Sequence, residues 1–90
     1  MKSYASVDRT EGSYVICEVE LMELENSQVE DCDKAVEMID IPLEMALKSV
    51  ENVDDGDILI VEHNNGDVIE VYCKDEEEKQ RRIDYLRQIM

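Results

Sequence analysis

The sequence predicts a mainly β fold of the α+β class: a small five-stranded antiparallel barrel, SH3-like or OB-like, with a C-terminal α-helix. Three observations carry this expectation. Residues 14 to 21 alternate at strand period, Asn65-Gly66 sits between two apolar runs, and the last sixteen residues open on an N-cap pattern and continue at helical spacing. Turn residues separate short apolar segments throughout, as in small all-β barrels.

Taken in order, the first strand is expected near residues 3–9, with Ala5 and Val7 on one face. Gly12 supplies the turn of a hairpin into a second strand near 13–23, whose core face holds Val15, Cys17, Val19 and Leu21. A strongly acidic stretch near 24–38 has no clear period and reads as a solvated loop or an insertion. A third strand is expected near 37–42, ending at Pro42, which suits an edge. Leu43, Ala46, Leu47 and Val50 then recur at the spacing of a short helix.

Strands near 57–63 and 67–73 flank Asn65-Gly66, the strongest short hairpin dipeptide. Glu70 should face water and Ile69 and Val71 the core. A two-residue turn sets Ile60 opposite Val71 and Ile58 opposite Cys73; a three-residue loop brings Leu59 and Val61 into the core instead. A helix near 76–89 starts at Asp75, with Glu78 at the capping-box position. Its apolar stripe is Ile83, Leu86 and Ile89 or Met90, and Leu86 is expected to be the deepest anchor on an acidic sheet surface.

Composition bounds the function. Ninety residues make a single domain with a modest core, and a chain of this size is not expected to enclose a buried catalytic cleft. The formal net charge is -15, all of it in residues 1–72, because residues 73–90 hold five acids and five bases. That field disfavours direct binding to nucleic acid or to an anionic membrane, and four Tyr with no Trp or Phe give few stacking platforms. The N-terminal residues show no apolar leader segment. Three Cys without a C-x-x-C pair fit a reducing, cytoplasmic setting.

Val7-Asp8-Arg9-Thr10-Glu11-Gly12, the apolar strand ending at Glu18, then Gly56-Asp57-Ile58-Leu59 and the acidic start and Arg-containing body of the last helix occur in that order. Together they resemble the bacterial family catalogued as domain of unknown function 3006. The departures are Thr10, where the family usually carries an aliphatic residue, and residues 24–38, which look inserted. The resemblance implies a compact β-rich bacterial module without an established activity.

Candidate partner-contacting residues fall in two places. Asp8, Arg9 and Glu11 form a polar constellation at the first hairpin, able to meet a partner or to fix the turn; strand neighbours point to opposite faces, so Asp8 and Arg9 are not expected to pair with each other. Glu30, Asp31 and Asp33 concentrate charge in the acidic loop. His63, Cys17, Cys32 and Cys73 have the ligand types for zinc but lie scattered singly, with His63 expected to be exposed and Cys17 and Cys73 buried. Asp54-Asp55-Gly56-Asp57 and Asn64-Asn65-Gly66-Asp67 resemble calcium-loop fragments but lack the bidentate Glu and read as turns. No metal or cofactor is expected, and no paired acid and base suggests an enzyme. The expected function is a non-catalytic protein-interaction module whose partner has a basic patch. The alternative is an acidic mimic of a nucleic-acid backbone that occupies a DNA-binding protein.

Overall fold

A computed structural model describes residues 1–23, 35–65 and 67–89, with the backbone alone for Ile89. Five strands, β1 (Lys2–Glu11), β2 (Tyr14–Glu20), β3 (Val36–Pro42), β4 (Ile58–Asn64) and β5 (Asp67–Lys74), form one antiparallel sheet in the order β3-β2-β1-β4-β5. A five-residue helix, α1 (Leu43–Leu47), follows β3 directly, and α2 (Glu76–Ile89) follows β5. The order places β1 between β2 and β4, with a helix between β3 and β4. That is the connectivity of an OB-like barrel opened along the seam between β3 and β5. The two edges approach each other where α1 packs against both.

The expected elements are all present, with shifted ends. The acidic stretch expected as a loop near 24–38 gives way to strand by Val36, and residues 24–34 lie outside the described residues. The core is the concave face of the sheet. Ala5 and Val7, Val15, Cys17 and Val19, Ile41, Leu59, Val61 and Val71 are buried there with Ala46 of α1. β1 and β4 align Ala5 with Leu59, so the central pair contributes alternate residues to one interior.

The β4–β5 hairpin departs from both expected registers. Asn64 pairs with Asp67, so the turn has two residues, and Asn65 takes the left-handed φ of +55° such a turn requires. Yet Leu59 and Val61, the residues expected from the longer loop, line the core. Two bulges on β5 reconcile these facts. Glu62 faces Glu70 and His63 faces Val68, leaving Ile69 as the extra residue; Val61 faces Val71 and Ile60 faces Cys73, leaving Tyr72. Each bulge re-phases the strand. Ile69, expected in the core, is therefore 61% exposed, and Cys73, expected to be buried, is exposed, while Val71 is buried as expected.

His63 also corrects an expectation. It lies beside the hairpin tip but is only 2% exposed, with Nε2 2.8 Å from Ser3 Oγ, whose hydroxyl donates to the Met22 carbonyl. The imidazole thus links β4 and β1 to the end of β2 inside the barrel.

Val71→Ala should lower stability by about 1–3 kcal/mol, since apolar burial and packing go together. Ile69→Ala and Glu70→Ala should each shift it by no more than about 0.5 kcal/mol. Urea unfolding of the three variants checks this, and a large loss at Ile69 would contradict the bulged register.

Candidate partner-binding surface

Asp8, Arg9 and Glu11 do come together, but by a route that simple strand alternation hides. β1 has a bulge between Val7 and Arg9: Val7 faces Cys17 and Arg9 faces Ile16, so Asp8 is the extra residue. This turns neighbouring side chains to the same side. Arg9 pairs with Asp8 and donates from Nε to Glu11 Oε1 at 2.8 Å, contrary to the expectation that Asp8 and Arg9 would not pair. All three are exposed, and the two carboxylates hold the Arg9 guanidinium's pKa above its ordinary value. The trio is a local ion-pair cluster within β1. Glu30, Asp31 and Asp33 lie outside the described residues, as does Cys32.

The convex face of the sheet carries a network that the sequence pattern did not flag. Tyr4, Ser6, Glu18, Glu20, Ile58 and Ile60 point to this side, opposite the core. Across it runs α2. Asp75 accepts the Glu78 N–H at 2.9 Å, which is the expected cap, but its own N–H goes to the Ile58 carbonyl, and the Glu78 carboxylate turns to Arg81 and Arg82. Arg82 is the hub. Its Nε meets Glu78 Oε2 at 2.7 Å, one terminal nitrogen meets Glu20 Oε2 at 2.7 Å, the other donates to Ser6 Oγ at 3.0 Å, and the guanidinium lies over the Tyr4 ring. Glu20 and Glu78 are buried. Burial disfavours the charge on Arg82, but its hydrogen bonds to Glu78 and Glu20 prevail and raise its pKa.

A second ionic tie fixes the start of the helix. The Asp57 side chain is buried; it accepts from Lys79 Nζ at 2.8 Å and from the Asp54 N–H at 2.8 Å, with Lys74 Nζ at 3.1 Å. Gly56, at φ +88°, donates its N–H to the Val7 carbonyl, extending the contact between β1 and the approach to β4. Thus 54–57 is a turn, as expected, and its last carboxylate grips β5 and α2.

Leu86 is not the anchor expected of it. It is 53% exposed, beside an exposed Tyr85. The reason is length. Fourteen residues of α2 span about 21 Å at about 1.5 Å each, whereas β4 and β2 lie two strand spacings apart, about 10 Å. Contacts to Asp57, Ser6 and Glu20 are made by residues 79–82, and the last two turns overhang.

Glu20 faces Val36 across the β2–β3 ladder. Val36 and Met38 are exposed on the convex side of β3, and Met38 sits opposite Glu18. Asp40 continues the same row. The convex side of β3 thus presents Val36 and Met38 with the exposed carboxylates Glu18 and Asp40 beside them, and α2 separately exposes Tyr85 and Leu86. Cys17 lies in the core, where burial pushes its thiol up to about 12. Among the described residues no helix is long and apolar enough to cross a membrane. No family model, curated protein or solved structure matches the chain.

Arg82→Ala should destabilise the domain by about 3 kcal/mol, because buried Glu20 loses its guanidinium and Glu78 keeps only Arg81, whereas Leu86→Ala should change it by less than about 1 kcal/mol. Thermal midpoints of the pair give the order, and a reversed order would refute docking by charge.

For Asp57, burial alone would raise its pKa, but Lys79, the Asp54 N–H and Lys74 outweigh that and hold it below the usual carboxylate range. A carboxylate lowered by folding stabilises fully above its unfolded value of about 4 and loses that contribution as pH falls through its lower folded value. Asp57→Asn should therefore be destabilised near neutrality and lose less further stability than the parent on acidification, which urea midpoints measured against pH would show.

Proposed function

We propose that the chain is a non-catalytic, cytoplasmic protein-interaction module of the domain-of-unknown-function-3006 type, and that it docks a partner carrying basic and apolar side chains on the convex side of β2 and β3 beside the overhang of α2. One observation carries this reading: exposed Val36 and Met38 stand beside the exposed carboxylates Glu18 and Asp40 on a face with no basic residue in either strand. An apolar centre with a polar rim is the anatomy of a protein interface. Long-range attraction from the net charge of -15 would speed the approach of a cationic partner, while the apolar centre would slow its departure.

The alternative of a nucleic-acid mimic needs carboxylates displayed in rows. Glu20, which belongs to the convex row with Glu18, is instead held by Arg82. This supports the interaction module over the mimic.

Immobilised domain exposed to a lysate of the source organism tests the reading. A protein retained by the parent and lost with Met38→Asp or Leu86→Asp, each still folded by circular dichroism, is the expected outcome. Neutralising Glu30, Asp31 and Asp33 together should reduce mainly the association rate. Displacement of the retained protein by added duplex DNA would favour the mimic, and retention unaffected by either surface substitution would place docking elsewhere.

A further inference from the structure

We infer that the free edge of β3 is a strand-addition site whose occupant is an extended segment with the pattern base, apolar, apolar, base, apolar. The inference rests on the interaction reading above and specifies how that same surface recognises its partner.

The two edges of the sheet differ. β5 is interrupted by bulges at Ile69 and Tyr72, and bulging is one way proteins keep an edge from pairing with another chain. β3 pairs with β2 in unbroken register from Glu20 opposite Val36 to Tyr14 opposite Pro42 and, among the described residues, has no strand on its other side. Its only proline is its last residue. Pro42 lies at the α1 end, where β3 and β5 converge and Ile41 is buried, whereas 36–38 are exposed. Residues 36–40 therefore offer a flat edge, and alternate residues of an edge strand direct backbone N–H and C=O groups outward.

The side chains select the occupant. β2 and β3 hold four carboxylates and no base; Glu20 is engaged by Arg82, and Glu18, Glu37 and Asp40 are exposed. A second copy of the chain laid along β3 would bring an equally acidic strand alongside with no base to pair its carboxylates, which disfavours self-pairing. A cationic strand is favoured. In antiparallel addition its residues would neighbour, in turn, Asp40, Ile39, Met38, Glu37 and Val36. Cross-strand neighbours stabilise when charges are opposite or both side chains are apolar. The complement is therefore basic opposite Asp40 and Glu37, and apolar opposite Ile39, Met38 and Val36. Main-chain bonds would supply the common attraction and these five positions the selectivity, as in other complexes formed by strand addition.

The probe is a fluorescein-labelled peptide, Gly-Ser-Arg-Val-Val-Arg-Val-Ser-Gly, titrated with the full chain and read by anisotropy. It should bind at least about tenfold more tightly than the same peptide with Glu for both Arg, and tighter than one of the same composition in scrambled order. The double variant Glu37→Lys with Asp40→Lys should reverse the preference between the Arg and Glu peptides. N-methylation of the amides of one alternate set should abolish binding, and of the other set should leave it, because only one side of an added strand bonds to the sheet. Amide exchange in residues 36–40 should slow on binding. Equal binding of the scrambled peptide, or indifference to which set is methylated, would overturn strand addition while leaving docking on the convex face intact. Self-association of the chain that protects the same amides would overturn it in favour of a second copy. Failure of every peptide together with loss of the Met38-sensitive retention would remove both proposals.

Discussion

The helix of this small domain is held by a guanidinium between two buried carboxylates, and the outer architecture depends on that arrangement. The apolar side chains of the barrel are largely consumed by its interior, where Leu59, Val61 and Ile41 are fully buried. On the convex side Ile58 and Ile60 leave a small apolar patch, and α2 adds Lys79 and Arg82 beside Ile83 where a purely hydrophobic helix would offer leucines. Arg82 suits this role because its planar fork serves Glu78, Glu20 and Ser6 at once and its face covers Tyr4. Burying such charges is expensive, and an apolar substitute of the same shape can be as stable. What the ionic clamp adds is direction. It sets where the helix crosses β1 and β2, and hence where Tyr85 and Leu86 project.

Much of the barrel was legible because strand alternation is a local property. Val15, Cys17 and Val19 announce a buried face with no knowledge of what pairs with it, and Asn65 announces a tight turn through its tolerance of positive φ. Bulges escape such a reading. An extra residue at Asp8, Ile69 or Tyr72 changes the phase of everything beyond it, and nothing in the side chains nearby records that the ladder has slipped. The helix stripe fails differently: spacing shows which side of α2 is apolar, whereas the width of the sheet beneath decides how much of that side is covered. His63 is buried by its link to Ser3, sixty residues away, a partner that a reading beside the hairpin turn cannot supply.

The candidate surface was legible only in its charge. Glu20 was assigned to the outward side of its strand, which is correct, but its burial depends on a helix arriving from the far end of the chain. Val36 was read into the acidic loop and Met38 as an ordinary strand residue, and their exposure follows from the position of β3 at the end of the strand order. Asp8, Arg9 and Glu11 form a real constellation, and within it the two carboxylates are engaged by the one guanidinium.

The turn ending at Asp57 has a kinetic side. Its carboxylate and the backbone around it join Val7, Lys74 and Lys79, groups brought together from both ends of the sequence. Closing loops of that length is slow relative to forming either hairpin, so β1–β2 and β4–β5 can each assemble before anything secures them to each other. The central pairing of β1 with β4 then becomes the step that commits the chain, and the contacts of α2 with Ser6 and Glu20 through Arg82, which require that pairing, are the last to settle. Stopped-flow refolding in which Arg82→Ala accelerates unfolding while leaving the folding rate nearly unchanged would display this order.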